Sequence, residues 1–237
     1  MALVEYELKE HVAVLTMNNG ENRFNPTYLG EFLDVLDEIE NKTEAATLVV
    51  TSANEKIWCN GLDLDWLMPV VQAKDVDTSK KFFYQLNDLF RRLLVYPLTT
   101  IAAINGHAFA GGAILTGAFD FRYMRTDRGF FCIPEVDISI PFLPGMMALL
   151  RNVMSNDVMH FMGLTGSRMT AQQCLDAKMV AGAYHIDEMM DKVMEFALTQ
   201  NKRRQVVTAI KEEMHRDILY AINELDPPII ETGRLQV

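Results

Sequence analysis

The chain has 237 residues, 49% hydrophobic and 23% charged, which is enough for one large domain with a sizeable core and too apolar for a disordered segment. Its formal net charge of −10 argues against nucleic acid as a partner, because phosphate binding needs clustered Lys and Arg. The three cysteines, Cys59, Cys132 and Cys174, are widely spaced and form no CxxC or Cys/His pattern, so neither a disulfide framework nor a metal site is expected and a reducing compartment fits.

Val4–Leu8 and Val12–Met17 are short β-rich runs separated by Lys9 and Glu10, which predicts a hairpin. Residues 18–25 carry turn chemistry and one cation, Arg23. Leu29, Phe32, Leu33, Leu36 and Ile39 then recur at helical spacing, with Glu31, Asp34, Asp37 and Glu38 on the opposite face. Ala46–Ser52 is a continuous apolar run of the kind a parallel sheet buries on both faces. Trp58-Cys-Asn-Gly-Leu-Asp-Leu64 is a glycine-containing turn leading into a helix or loop that reaches Met68. Residues 78–94 give a second amphipathic helix closed by Pro97, and Thr99–Ile104 the next strand.

That strand runs into Asn105-Gly-His-Ala-Phe-Ala-Gly-Gly112, the grammar of a strand, a tight turn and a helix start. Gly111 and Gly112 can adopt backbone angles closed to other residues, and N–H groups at a helix start have no intrahelical partner. Such a turn suits an oxyanion; it equally suits a buried helix that must approach a sheet closely.

Residues 119–124 alternate as a strand, residues 126–129 turn, and Phe130–Pro134 is a short extended piece ending at Glu135. Residues 145–164 read as one Met-rich apolar helix, Thr170–Lys178 as a short helix and residues 187–200 as another. Residues 202–225 give a last long helix, peripheral because Pro227 and Pro228 follow it, and able to pack on another subunit. The alternation of strand and helix predicts an α/β fold. Residues 101–119 are uncharged, but Asn105, His107 and four glycines argue against a membrane span. The first residues have no basic stretch before an apolar core, and the last four, Arg-Leu-Gln-Val, are no peroxisomal signal; a cytoplasmic protein is expected.

Three stretches taken together, Cys59-Asn-Gly-Leu-Asp-Leu64, Asn105 to Gly112 and Pro134-Glu-Val-Asp-Ile-Ser-Ile-Pro141, resemble the crotonase (enoyl-CoA hydratase/isomerase) superfamily in order and separation. The similarity runs over residues 3–200; Leu164-Thr-Gly166, Ala171 and Ala177 extend it, although the family's glycine near position 178 is here Lys178. The resemblance implies a crotonase-like spiral of ββα units over residues 1–195. It further implies a helical C-terminal region over residues 196–237 that makes subunit contacts in a homotrimer or a dimer of trimers. It also implies an acyl-CoA thioester as substrate with no separate cofactor and no metal. The N–H groups of Asn60 and Gly111 would form an oxyanion hole around the thioester carbonyl. Two fixed donors stabilise the enolate left by removal of a proton beside the thioester, and the loss of one such donor raises the barrier by about 3 to 4 kcal/mol.

The same resemblance bears on the reaction. Family hydratases place two glutamates over the substrate; here the first of those positions is Ile114, which can neither orient a water nor pass a proton, and Glu135 holds the second. In the Δ3,Δ2-enoyl-CoA isomerases of the superfamily one glutamate takes a proton from C2 and returns it at C4. Asp127-Arg-Gly129 followed by Glu135-Val-Asp-Ile138 is similar to the plant and related peroxisomal isomerases in particular, and Leu143 stands where dienoyl-CoA isomerases carry an aspartate. The implied activity is therefore that of a Δ3,Δ2-enoyl-CoA isomerase. The alternatives are a single-glutamate hydratase or a decarboxylase, or a catalytically silent acyl-CoA-binding scaffold.

Ile133, Val136 and Ile138 around Glu135 predict a raised pKa by desolvation of the charged form. Arg23 suits a CoA phosphate or an ordinary exposed position, and Trp58 and Trp66 suit either the acyl and pantetheine path or the core. Gly61, Asp63, Leu64, Gly112, Ile114 and Leu143 are candidate substrate contacts. Asp63 is expected to hold its own turn, Asp137 to be structural, and His107 to be a satisfied structural histidine with no companion at metal-ligand spacing.

Overall fold

The structure, a computed structural model, describes residues 2–232, so the terminal Arg-Leu-Gln-Val lies outside the described residues. Val4–Lys9 (β1) and Val12–Met17 (β2) form an antiparallel hairpin with Val4 opposite Met17. Arg23–Phe24 (β3) precedes Pro26–Lys42 (α1), whose N-cap Asn25 accepts from the Tyr28 N–H at 3.0 Å. Pro26 fills the first helical turn, where a missing N–H has no partner to lose.

A repeat then begins. Thr47–Ser52 (β4) leads to Ile57–Cys59 (β5), Gly61–Leu62 (β6) and the helices Leu64–Gln72 (α2) and Val76–Leu94 (α3). Thr99–Ile104 (β7) leads to His107–Phe109 (β8) and Gly111–Leu115 (α4), which continues into a 3-10 turn over Thr116–Ala118. Phe121–Arg125 (β9) leads to Phe131–Cys132 (β10) and Pro144–Val153 (α5). After these come Asn156–Thr165 (α6), Arg168–Met169 (β11), Ala171–Asp176 (α7), Gly182–Tyr184 (β12) and Ile186–Leu198 (α8). Arg204–Met214 (α9), Arg216–Tyr220 (α10), a π-helical turn over Ala221–Leu225 and Asp226–Thr232 (α11) follow.

In each repeat the first strand enters a six-stranded sheet of order β1-β2-β4-β7-β9-β12, and the short second strand enters a four-stranded sheet of order β11-β10-β8-β5. Successive repeats add strands in parallel to both, Val49 opposite Ile101 in the first sheet and Phe131 opposite Ala108 in the second, so the chain advances as a spiral. Strands β2, β4 and β7 of the large sheet are buried on both faces. Phe32, Leu48, Val50, Phe90 and Ala102 belong to the main core on one side, while Met189, Val193 and Ala197 of α8 cover Val12, Val14, Val49 and Ile101 on the other. This is why those strands read as unbroken apolar runs. α3 buries Phe82, Leu86, Leu89, Phe90 and Leu93, each worth roughly 1.5–3 kcal/mol in area removed from water. Asn105 ties the strand ends together: its Nδ2 donates to the Ser52 carbonyl at 2.8 Å and its Oδ1 accepts from the Ser52 N–H at 3.2 Å.

Two helices expected as single rods are broken. Residues 145–164 divide because Met154 is extended (φ −131°, ψ 150°) and Ser155 starts a new helix by capping the Val158 N–H at 3.4 Å. Residues 202–225 divide at His215, and the prolines do not end the helical region. Pro227 and Pro228 lie in the first turn of α11, where an absent N–H is tolerated, just after the widened π turn. Nor is this region peripheral: Ile218, Ile222 and Ile230 join the main core, and the Asp226 carboxylate accepts from the Gly145 N–H at 2.7 Å and from Asn87 Nδ2 at 2.9 Å. No described helix is long and apolar enough to cross a membrane.

Candidate active site

The four repeat-derived elements α2, α4, α5 and the segment after β10 converge on a cavity of about 560 Å3. Its walls are largely aliphatic and aromatic, among them Leu67, Val71, Phe83, Ile114 and Met146, with Arg23, Asn60 and Asp65 also on the lining. That size suits a small-molecule ligand.

Three charged side chains line the cavity: Arg23, Asp65 and Glu135. Two of them are neutralised, because Arg23 Nη1 lies 2.9 Å from Asp65 Oδ2 and Arg23 Nη2 lies 2.6 Å from Glu21 Oε2. The third is not. Glu135 is 5% exposed and its Oε2 has no hydrogen-bond partner among the described residues. Burial pushes its pKa up to about 7 by penalising the charged form. The raised pKa expected from the sequence is present, but its flanking side chains are only part of the cause, since Val136 and Ile138 are exposed while Ile133 is buried. The backbone that carries it is held by tight turns: the Asp137 N–H donates to the Pro134 carbonyl at 2.9 Å and the Ile140 N–H to the Glu135 carbonyl at 3.1 Å.

Opposite runs the glycine turn. Ala110 has φ 50° and ψ −126°, a strained conformation for a residue with a Cβ, held by its N–H donating to the Cys132 carbonyl at 3.0 Å. The next N–H, that of Gly111, starts α4 and has no intrahelical acceptor. α4 spans five residues, so its contribution is this local N–H rather than a long helix dipole. Gly61 abuts it from the neighbouring turn at φ +75°; a Cβ there would stand 2.4 Å from the Gly111 nitrogen. Gly112 is equally constrained, since a Cβ on it would stand 2.1 Å from the Cys59 carbonyl oxygen.

The partner of the Gly111 N–H differs from the one expected. Asn60 donates its N–H to the Glu21 carbonyl at 3.1 Å, and the Asp63 N–H goes to the Phe24 carbonyl at 3.0 Å. β6 pairs with β3 in parallel, and alternate residues of a strand donate to the same side. Because Asp63 donates to β3, the N–H of the preceding Leu62 points away from β3, and its nitrogen lies 3.5 Å from where a Cβ on Gly111 would sit. Leu62, two positions after Asn60, lines the cavity together with Gly111.

Arg23, Asn60, Leu64, Gly111, Ile114 and Glu135 all line the cavity. Other expected contacts do not. Trp58 is wholly buried, with Nε1 donating to the Val50 carbonyl at 3.3 Å and its ring against Phe119, and Leu143 is likewise in the core. Trp66 packs on Phe82, while Gly61 and Gly112 act as spacers between main chains. Asp63 caps α2 by accepting from the Trp66 N–H at 3.3 Å. His107 accepts the Phe130 N–H at Nδ1, 3.2 Å, and lies between the Phe109 and Phe130 rings. Phe83, Phe142 and Met146 line the cavity without any local sequence signal, because they come from segments that meet only on folding.

A ββα spiral whose turns converge on one apolar cavity is the crotonase architecture, an α/β fold with a helical C-terminal region. The chain belongs to the enoyl-CoA hydratase/isomerase family, which it matches over residues 7–224. It is 33% identical over 150 residues to the peroxisomal enoyl-CoA delta isomerase 2 of Arabidopsis thaliana, a match covering 61% of each chain. It is 30% identical over 196 residues to the short-chain-enoyl-CoA hydratase of Clostridium acetobutylicum, covering 81% of this chain and 72% of that one. The fold superposes on the crystal structure of an enoyl-CoA hydratase, EchA3, from Mycobacterium marinum with a TM-score of 0.85 over 97% of this chain and 98% of that one, at 21% identity.

Proposed function

We propose that the protein is a Δ3,Δ2-enoyl-CoA isomerase that uses one carboxyl as both base and acid. The observation that carries this is Glu135, a buried and unpaired carboxyl in a cavity whose other charged groups pair with one another or with Glu21. The thioester oxygen accepts from the Gly111 and Leu62 N–H groups, Glu135 takes the C2 proton, and the enolate stays bound while the same carboxyl returns the proton at C4. A pKa near 7 suits a group that must do both. Ile114 provides no second acid to orient a water, which disfavours hydration, the reading that the hydratase relative supports. The acyl-CoA is substrate, and the chemistry asks for no further cofactor or metal.

Incubation with a 3-enoyl-CoA, followed by the ultraviolet absorbance of the conjugated thioester, tests this. The parent chain forms 2-enoyl-CoA without 3-hydroxyacyl product. Glu135→Gln binds acyl-CoA but turns over at least about a hundredfold more slowly, as for loss of an essential acid–base group. Retained turnover in Glu135→Gln would refute the assignment. We further propose a cytoplasmic homotrimer, or a dimer of trimers, with α9 at a subunit contact, because Val206, Ile210 and Met214 form an apolar ridge 53%, 54% and 69% exposed.

A further inference from the structure

A second cavity, of about 240 Å3, lies beside the first, and Phe142 belongs to the wall of both. It is bounded by Met147, Met159 and Gly163, with Arg151 and His160 on exposed positions at its rim. α5 runs between the two: Met146 faces the large cavity and its neighbour Met147 the small one. Phe142 stands at the start of that partition, two residues ahead of Pro144, and the segment that carries it also carries Glu135.

We propose that Phe142 is a specificity-determining residue that limits acyl chain length, its ring closing the large cavity toward a second compartment that otherwise takes the hydrocarbon end of a longer acyl chain. This rests on the proposed acyl-CoA reading of the large cavity. The compartment suits a hydrocarbon: two of its walls are methionines, which adapt to an irregular chain, and its charged groups are confined to the rim. The occupant enters from the large cavity because Phe142 is the side chain that the two linings share. Phe142 is half-buried, so the fold does not depend on it as it does on the buried aromatics.

The test is the equilibrium binding of saturated acyl-CoA esters from butanoyl-CoA to hexadecanoyl-CoA, which needs no turnover. In the parent chain affinity rises with chain length and then stops rising. In Phe142→Ala the rise continues beyond that length, by ~fourfold for each methylene that leaves water, and Phe142→Leu gives a smaller extension. Adding Gly163→Leu to Phe142→Ala cancels the gain by filling the second cavity from α6; the nearest atom to a new Cβ there is the flexible methyl end of Met159, at 3.2 Å. Superimposable length profiles for the parent, Phe142→Leu and Phe142→Ala overturn the partition while leaving the proposed function intact. A gain that persists in the Gly163→Leu background overturns the second compartment as the destination. Absence of acyl-CoA binding in every chain overturns the proposed function, and the partition with it.

Discussion

Glu135 titrates in a window set by its surroundings. Its folded pKa of about 7 stands above the ordinary 4.5, so between these pH values the folded chain holds a proton that the unfolded chain has lost. Stability attributable to this residue is therefore complete below 4.5 and falls as pH rises to about 7, by on the order of 3 kcal/mol at about 1.4 kcal/mol per pKa unit. Glu135→Gln should remove that slope and be the more stable chain at about pH 8, which urea denaturation at about pH 5 and about pH 8 measures. Activity has the opposite sense. The base must be deprotonated, so kcat/KM should fall about tenfold per pH unit below 7 and level off above it, in a pH–rate profile on 3-enoyl-CoA. Glu135 was legible in the sequence through the resemblance of residues 134–141, taken with the two glycine-bearing stretches, to the crotonase superfamily. The proposed Leu62 donor was not, because which N–H of the Cys59–Leu64 turn is free depends on its pairing with Arg23–Phe24, nearly forty residues away.

At the scale of elements, the strands and the two amphipathic helices α1 and α3 were legible because periodicity reports burial directly. The helix breaks at Ser155 and His215 were not, since a Ser cap amid apolar residues leaves the periodicity almost undisturbed. Lys178 shows what a departure from the family pattern means physically. It takes φ 59°, the left-handed conformation in which glycine is free of strain, just after α7. Lys178→Gly should relieve that strain and stabilise the chain by about 1 kcal/mol, read as a rise in the urea midpoint with an unchanged slope.

Across the whole molecule, the C-terminal helices are locked to the spiral by a buried charge pair. Lys211 Nζ lies 2.7 Å from Asp120 Oδ2 and donates to the Leu98 carbonyl at 2.7 Å, with side-chain exposures of 5% and 16%. Asp120 in turn accepts from the Thr100 N–H at 2.7 Å, at the edge where β7 begins. Either Asp120→Asn or Lys211→Met should cost on the order of 3–5 kcal/mol by leaving a buried partner uncompensated. The double variant should lose much less than the sum, as a double-mutant cycle in urea would measure. Sequence alone treated α9 as a surface helix, because its one buried lysine looks like any other charge until Asp120 is placed against it. Ile210→Asp, at an exposed position of α9, should lower the state of the proposed assembly seen by light scattering without changing the stability of the separated chain by more than about 0.5 kcal/mol.

The contact between Gly61 and Gly111 reaches further than its size suggests. Because the two turns touch main chain to main chain, no side chain sets the spacing of the donors they carry. The walls of the cavity can be redecorated by mutation, altering which molecule is accommodated, while the spacing of the two N–H groups proposed to hold the thioester oxygen is kept. A lineage keeping those two glycines can thus explore new substrates one wall residue at a time.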